Sequence, residues 1–195
     1  MKKFWQQINR GLVLLFAVVI GVTIYLIVDS QNKKKQRDEL IKLSTMFISD
    51  SSRLYEFPED IDFWDRSNIK QDALLPALYQ NATPIYHYFC DNEEARKSQI
   101  ESTYNFMYTS YFEERCPVSC ERTITGIEVK EIYRDSATIT INTSTTIEYE
   151  DESGKRTSEQ YHTYDTLQFL YQDGQWKMIS MSCSLNDDGM YYGAY

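Results

Sequence analysis

"SATITINTSTTIEYE", residues 136–150, repeats with a period of two: Ala137, Ile139, Ile141, Ile147 and Tyr149 point one way, and Thr138, Thr140, Asn142, Ser144 and Glu148 the other. Successive side chains of a strand leave opposite faces, so the pattern predicts one long strand with a single buried face. The flanking segments behave alike. "DESGK" at 151–155 supplies a turn, and "EQYHTYDTLQFLY" at 159–171 sets Tyr161, Leu167, Phe169 and Tyr171 on one face. "QDGQ" turns again into "WKMISMSC" at 176–183, and "RTITGIEVKEIY" at 122–133 precedes them all, with Gly126 marking a bulge. Four strands joined by short turns predict an antiparallel meander.

Upstream the period changes from two to that of a helix. Leu40, Leu43, Phe47 and Leu54 predict a helix over 34–54, close to or continuous with the apolar run before it. "YEFPEDIDFWDRSN" at 55–68 has no period and reads as a loop; a shorter helix follows over 70–79, weakened by Pro76. Asp91 and Glu94 form a capping-box-like start to a helix over 92–114, with Ile100, Tyr104, Met107 and Tyr111 on one face. Helices first and strands afterwards define an α+β class, with an N-terminal transmembrane helix and then helices packed on a curved four-stranded antiparallel sheet. The tail "NDDGMYYGAY" at 186–195 has aromatics without period.

The apolar run, "GLVLLFAVVIGVTIYLIV" at 11–28, holds 18 residues without a charge. As a helix it covers ~27 Å, enough to cross a bilayer core. Its exit, "IVDSQNKKK", lacks the small-x-small site of a cleaved signal, so the run is expected to stay as an anchor. The expected layout is a cytoplasmic N-terminus at 1–10, the span at 11–28, a juxtamembrane helix and linker at 29–55, the α+β domain at 56–185 and the tail. Lys2, Lys3 and Arg10 precede the span while Lys33, Lys34, Lys35 and Arg37 follow it, a count that by itself puts the domain in the cytoplasm. Beyond Arg37 the chain holds 13 basic and 28 acidic residues, a net of −15, which makes it a poor partner for nucleic acid or an anionic lipid surface. "KKKQR" at 33–37 is then a solvated collar at the membrane.

The four cysteines argue for the opposite side. An unbroken helix over 92–114 separates Cys90 from Cys116 by roughly 34 Å, far beyond the ~7 Å between Cα atoms that a disulfide tolerates, and Cys120 lies at most about 14 Å from Cys116. Neither can reach Cys90. The full pairing left is Cys116 with Cys120 and Cys90 with Cys183. The same separation rules out one zinc ion held by all four, and the C-x-x-x-C spacing, with no βαβ pattern around it, does not suit a thioredoxin-like couple. Staples imply an oxidising exterior, hence an N-terminus inside and a domain outside. Four thiols in a cytoplasmic domain are the competing reading.

The closing segments "YRDSATITI" at 133–141 and "FLYQDGQWKMIS" at 169–180, behind an anchor and helices, resemble the nuclear transport factor 2-like (cystatin-like) superfamily. The resemblance covers about 70–183, although the short early hairpin common in that superfamily is not evident. It implies helices over a curved sheet with Trp176 packed beneath. In layout the chain is also similar to the single-span scaffold subunits of type IV secretion and conjugation machines, which implies a non-enzymatic assembly role with other envelope proteins or further copies of itself.

Isomerase- and cyclase-type members of that superfamily place an acid or base beside a tyrosine inside the cone. The matching position is Asp165, on the face of Tyr161, Thr163, Leu167 and Phe169. A small-ligand or isomerase-like domain using Asp165 in an open cone is therefore the alternative function, to be separated by whether the cone is open or filled. His87 and His162 lack a convincing base, nucleophile or metal partner, and no G-x-S-x-G, H-E-x-x-H, P-loop or G-x-G-x-x-G motif occurs. No metal or cofactor is expected. Within the 55–68 loop, Tyr55, Phe57, Phe63 and Trp64 are expected to form an exposed aromatic-acidic contact patch, or else to cover the helix layer.

Overall fold

The computed structural model describes residues 10–90 and 93–185, without the side chains of 10–11 and 183–185. The first residues, the Asp91 cap and the tail at 186–195 lie outside them. Helix α1 runs from Arg10 to Asp50 without a break. A 3-10 helix, Ser51–Tyr55, follows it, then a loop, α2 (Gln71–Ala82), a second 3-10 helix (Thr83–Tyr88) and α3 (Glu93–Phe112). Strands β1 (Cys116–Ile132), β2 (Ser136–Glu150), β3 (Arg156–Gln172) and β4 (Gln175–Leu185) form one antiparallel sheet in chain order.

Two compact units divide the chain, one ending at Glu39 and the other starting at Leu40. In the first, the side chains from Leu12 to Val28 are exposed, and the helix is apolar and long enough to cross a membrane. In the second, Leu40, Phe47, Ile48 and Leu54 are buried, so the later part of the juxtamembrane helix and linker expected at 29–55 packs into the core. The boundary falls at Leu40, where the helical apolar stripe first meets partners.

The inner face of β2 is the expected one, with Ala137, Ile139, Ile141, Ile147 and Tyr149 all buried. Leu167 and Phe169 of β3 and Trp176 and Met178 of β4 continue it. Register shifts on β1 at Pro117/Ser119, Ile124/Gly126 and Val129/Glu131 bend the strand, and the middle one lies at the expected bulge. There a side chain in place of Gly126 would meet Asn142 Nδ2 at 3.2 Å. The β3–β4 turn is a two-residue hairpin, Asp173-Gly174, with φ of 52° and 81°, the double left-handed geometry that Asp-Gly favours.

The helices cover the inner face. α2 stays helical across Pro76 because Leu74, Leu78 and Ala82 are buried against the core. α3 turns Ile100, Thr103, Met107 and Ser110 inward, while Tyr104 and Tyr111 stop half-buried at its margin. Small residues let the helix close on the sheet, and their hydroxyls stay satisfied: Thr103 donates to the Gln99 carbonyl and Ser110 to that of Phe106, each at 3.0 Å.

Candidate functional site

Asp165 is 0 % exposed, and what surrounds it is an ion pair. Alternation along β3 points Thr163, Asp165 and Leu167 inward. Arg122 of β1, opposite Thr145 of β2, shares the inward face with Ile124 and reaches across β2 to Asp165. Its Nη2 donates to Asp165 Oδ2 at 2.9 Å, with the guanidinium side chain only 1 % exposed. Nη1 donates to Ser51 Oγ at 2.8 Å, and Ser51 in turn donates to the Ile48 carbonyl at 2.9 Å. The face of the Tyr55 ring lies 5.5 Å from the guanidinium carbon. The hydroxyls of Thr143 and Thr163 bond each other, and each lies 3.3 Å from Asp165 Oδ2.

This arrangement ties β1, β2 and β3 to the end of α1. Removing one member of a sealed ion pair leaves an uncompensated charge and costs about 3–5 kcal/mol. An open-cone acid or base needs a path to substrate, whereas Asp165 is 0 % exposed, with Oδ2 bonded to Arg122 and beside the Thr143 and Thr163 hydroxyls and Oδ1 buried with no hydrogen-bond partner among the described residues. The site built around Asp165 is a structural clasp. Arg122 was the residue that sequence reading passed over, although its parity with Ile124 placed it on the apolar face.

Of the expected pocket trio, Thr163 joins Asp165 and Tyr161 does not. Tyr161 belongs to a second cluster, near the start of β1. Its hydroxyl bonds Glu159 and lies 3.2 Å from the Tyr149 hydroxyl. Arg115 stacks over the Tyr149 ring at 4.3 Å and pairs with Glu159 at 2.5 Å and with Glu113 through Nε at 2.7 Å. Burial pushes the Tyr149 and Tyr161 hydroxyls up. The Tyr161 hydroxyl, together with Arg115, holds the Glu159 carboxyl below its ordinary value. Just before Arg115 the chain passes through Glu114 at φ 56°, the left-handed residue that ends α3 and starts β1.

The expected Cys116–Cys120 bridge is not formed; both are thiols. β1 begins at Cys116, earlier than the expected start at 122, so the pair lies on extended backbone. Cys116 faces Glu150 and Cys120 faces Ile147, which separates them by about 10 Å at ~3.3 Å per residue, beyond disulfide reach. Burial pushes both thiols up to about 12. The Cys90–Cys183 pairing rests on the Cys183 side chain, which lies outside the described residues.

The contact patch expected at Tyr55, Phe57, Phe63 and Trp64 is also corrected. Phe57 and Phe63 are buried, Tyr55 and Trp64 half-buried, and their rings pack edge to face: Phe57 on Phe63 at 4.8 Å, Phe63 on Trp64 at 4.9 Å, and Tyr55 on Phe106 at 5.5 Å. A loop without period still has to cover the helix layer, and these aromatics do so. Tyr108 and Phe112 of α3 face water, as do Tyr79, Tyr133 and Tyr171; on α3 the half-buried Tyr104 stacks on Tyr108 at 5.9 Å and Tyr108 meets Phe112 at 4.8 Å. His87 is exposed with Nδ1 2.6 Å from the Pro84 carbonyl, and His162 is exposed on the outer face of the sheet. Among the described residues no cluster of His, Cys, Asp and Glu could hold a metal ion.

No protein-family model and no curated protein matches the chain. Several solved structures are distantly similar, three of them as follows. The association domain of C. elegans CaMKII shares 14% identity over 78% of this chain and 98% of that one, at a TM-score of 0.42. A protein with a cystatin-like fold from Caulobacter vibrioides shares 18% over 48% and 60%, at 0.33. The intermembrane space region of chloroplast protein ARC6 shares 8% over 64% and 90%, at 0.31. At these scores nothing of what those proteins do transfers to this chain.

Proposed function

We propose that the chain is a non-enzymatic association module of a cell-envelope complex, a nuclear transport factor 2-like domain tethered to a bilayer by α1. The observation that carries this reading is the ladder on α3, where Tyr108 is 43 % and Phe112 60 % exposed and successive rings are in contact. Adjoining aromatics left in water are typical of surfaces that a partner covers. The interior fits the same reading, because the buried carboxylate of Asp165 is paired through Oδ2 with Arg122. Partners are other envelope proteins and further copies of the chain, and the net −15 beyond Arg37 disfavours nucleic acid.

A Tyr108→Ala/Phe112→Ala variant tests this. In gently solubilised membranes the wild-type chain is expected to migrate in a complex larger than its own 23.0 kDa plus detergent, and the variant at the smaller size with its melting unchanged. Equal migration of the two counts against the reading.

The domain sits on the extracytoplasmic side. With Cys116 and Cys120 as thiols, and with Cys90 bonded to β4 at Met178, five residues before Cys183, that placement has no disulfide behind it and rests on the labelling test. The exposed β2–β3 turn offers a test that does not depend on the buried thiols: a membrane-impermeant maleimide should label a Ser153→Cys variant in intact cells. Labelling only after permeabilisation would put the domain in the cytoplasm.

A further inference from the structure

Beyond the apolar span, α1 changes character within two turns. The segment "DSQNKKKQR", 29–37, holds four basic residues and one acid, a net of +3 in a chain whose total is −9. Asp29 is taken by Lys33, whose Nζ lies 2.8 Å from Oδ2. Lys34, Lys35 and Arg37 are exposed and, among the described residues, enter no ion pair, not even with Asp38 and Glu39 on the next turn.

Because α1 is unbroken from Arg10 to Asp50, the rise of ~1.5 Å per residue fixes the height of each of these side chains past Val28. A bilayer is about 40–45 Å thick against about 30 Å for its hydrocarbon, which leaves roughly 5–8 Å of headgroup on each side. With Val28 at the hydrocarbon edge, the backbone at Lys33, Lys34 and Lys35 stands about 7–11 Å out, and lysine stems lean back to set their ammoniums among the phosphates. Asp38 and Glu39 stand about 15 Å out or more, past the headgroups. In azimuth, steps of ~100° per residue send Lys33, Lys34 and Lys35 in three directions, with Arg37 between the first two. The four cations cover about 200° of the helix, wider than the stripe of roughly 100° that one packed protein face meets. Lipids, which surround a membrane helix, meet all of them.

We propose that Lys33, Lys34, Lys35 and Arg37 bind the phosphates of anionic lipids and gather such lipids in the leaflet at which α1 leaves the membrane. Lys34, Lys35 and Arg37 supply the attraction, and Asp29 withholds part of that of Lys33. Cations held close to a negatively charged surface are drawn to it, and salt weakens the pull. The inference rests on α1 as a membrane anchor and concerns a surface separate from the α3 ladder.

The test reconstitutes the full chain in phosphatidylcholine bilayers carrying a trace of spin-labelled lipid, either phosphatidylcholine or phosphatidylglycerol. The fraction of label slowed by contact with protein is read by electron spin resonance. At low salt the chain is expected to favour the phosphatidylglycerol label about fivefold, the worth of roughly one cation near the surface. In about 1 M salt, where screening acts within ~3 Å, the preference should fall toward one. Lys34→Gln/Lys35→Gln/Arg37→Gln is expected to remove most of it. Asp29→Asn, which releases Lys33, is expected to raise it, and this second variant decides if the triple one does not insert.

Equal slowing of the two labels by the wild-type chain overturns the proposal. So does a preference that survives the triple substitution, which would assign it to basic residues elsewhere, or one that Asp29→Asn leaves unchanged. The phosphatidylcholine label keeps the two readings apart. If it is slowed and no preference appears, the anchor stands and the lipid site alone is lost; if neither label is slowed, the anchor fails and the lipid site with it.

Discussion

Arg122 and Asp165 meet across an intervening strand, and their value to the fold lies in not being separated. Asp165→Ala leaves a guanidinium that is 1 % exposed with one fewer anion, and is expected to cost about 3–5 kcal/mol. Arg122→Met with Asp165→Leu, which replaces both charges with apolar volume, should recover most of that loss. Denaturant unfolding of the full chain in micelles reads both, and a single variant as stable as the wild type would contradict the clasp. Cys116 and Cys120 give a second check: without reductant, unfolding followed by alkylation should label both, and a mass-mapped bridge between them would refute the strand geometry. The inward placement of Arg122 was legible from its parity with Ile124. Its partner was not, because alternation assigns a face and says nothing of which side chain two strands away a long guanidinium will reach.

Secondary-structure elements were legible wherever one period persisted. β2 keeps its alternation through fifteen residues, so its face could be read directly, and Asp173-Gly174 identified a tight hairpin by composition. The start of β1 was hidden because Pro117 and a register shift beside it break the alternation between the two cysteines. That single misplaced boundary turned two separated thiols into an expected staple. On α3, large tyrosines suggested the buried face, whereas small Thr103 and Ser110 occupy it because they permit close approach. The β3–β4 turn makes a prediction of its own. Gly174 sits at φ 81°, where a β-carbon costs roughly 1–2 kcal/mol, so Gly174→Ala should destabilise the chain by about that amount in thermal melts. No loss would mean that the turn adopts another geometry.

In the whole molecule, a helix suited to a bilayer core leads into a unit that starts at Leu40 and buries its polar clasp, and Tyr108 and Phe112 of α3 are among the rings left in water. The loop aromatics at 55–64 were the wrong candidates for a contact surface, since a segment without period offers no sign of which rings will be covered. If the protein acts by association, its chemistry is at the surface and substitutions there should spare folding. The most direct measurement places a photoreactive benzophenone side chain at position 112 in native membranes, with position 152 in the β2–β3 turn as control. Light-dependent adducts of higher mass at 112 and none at 152 are the predicted result; no adduct at 112, from a chain that is folded and membrane-bound, would contradict the account.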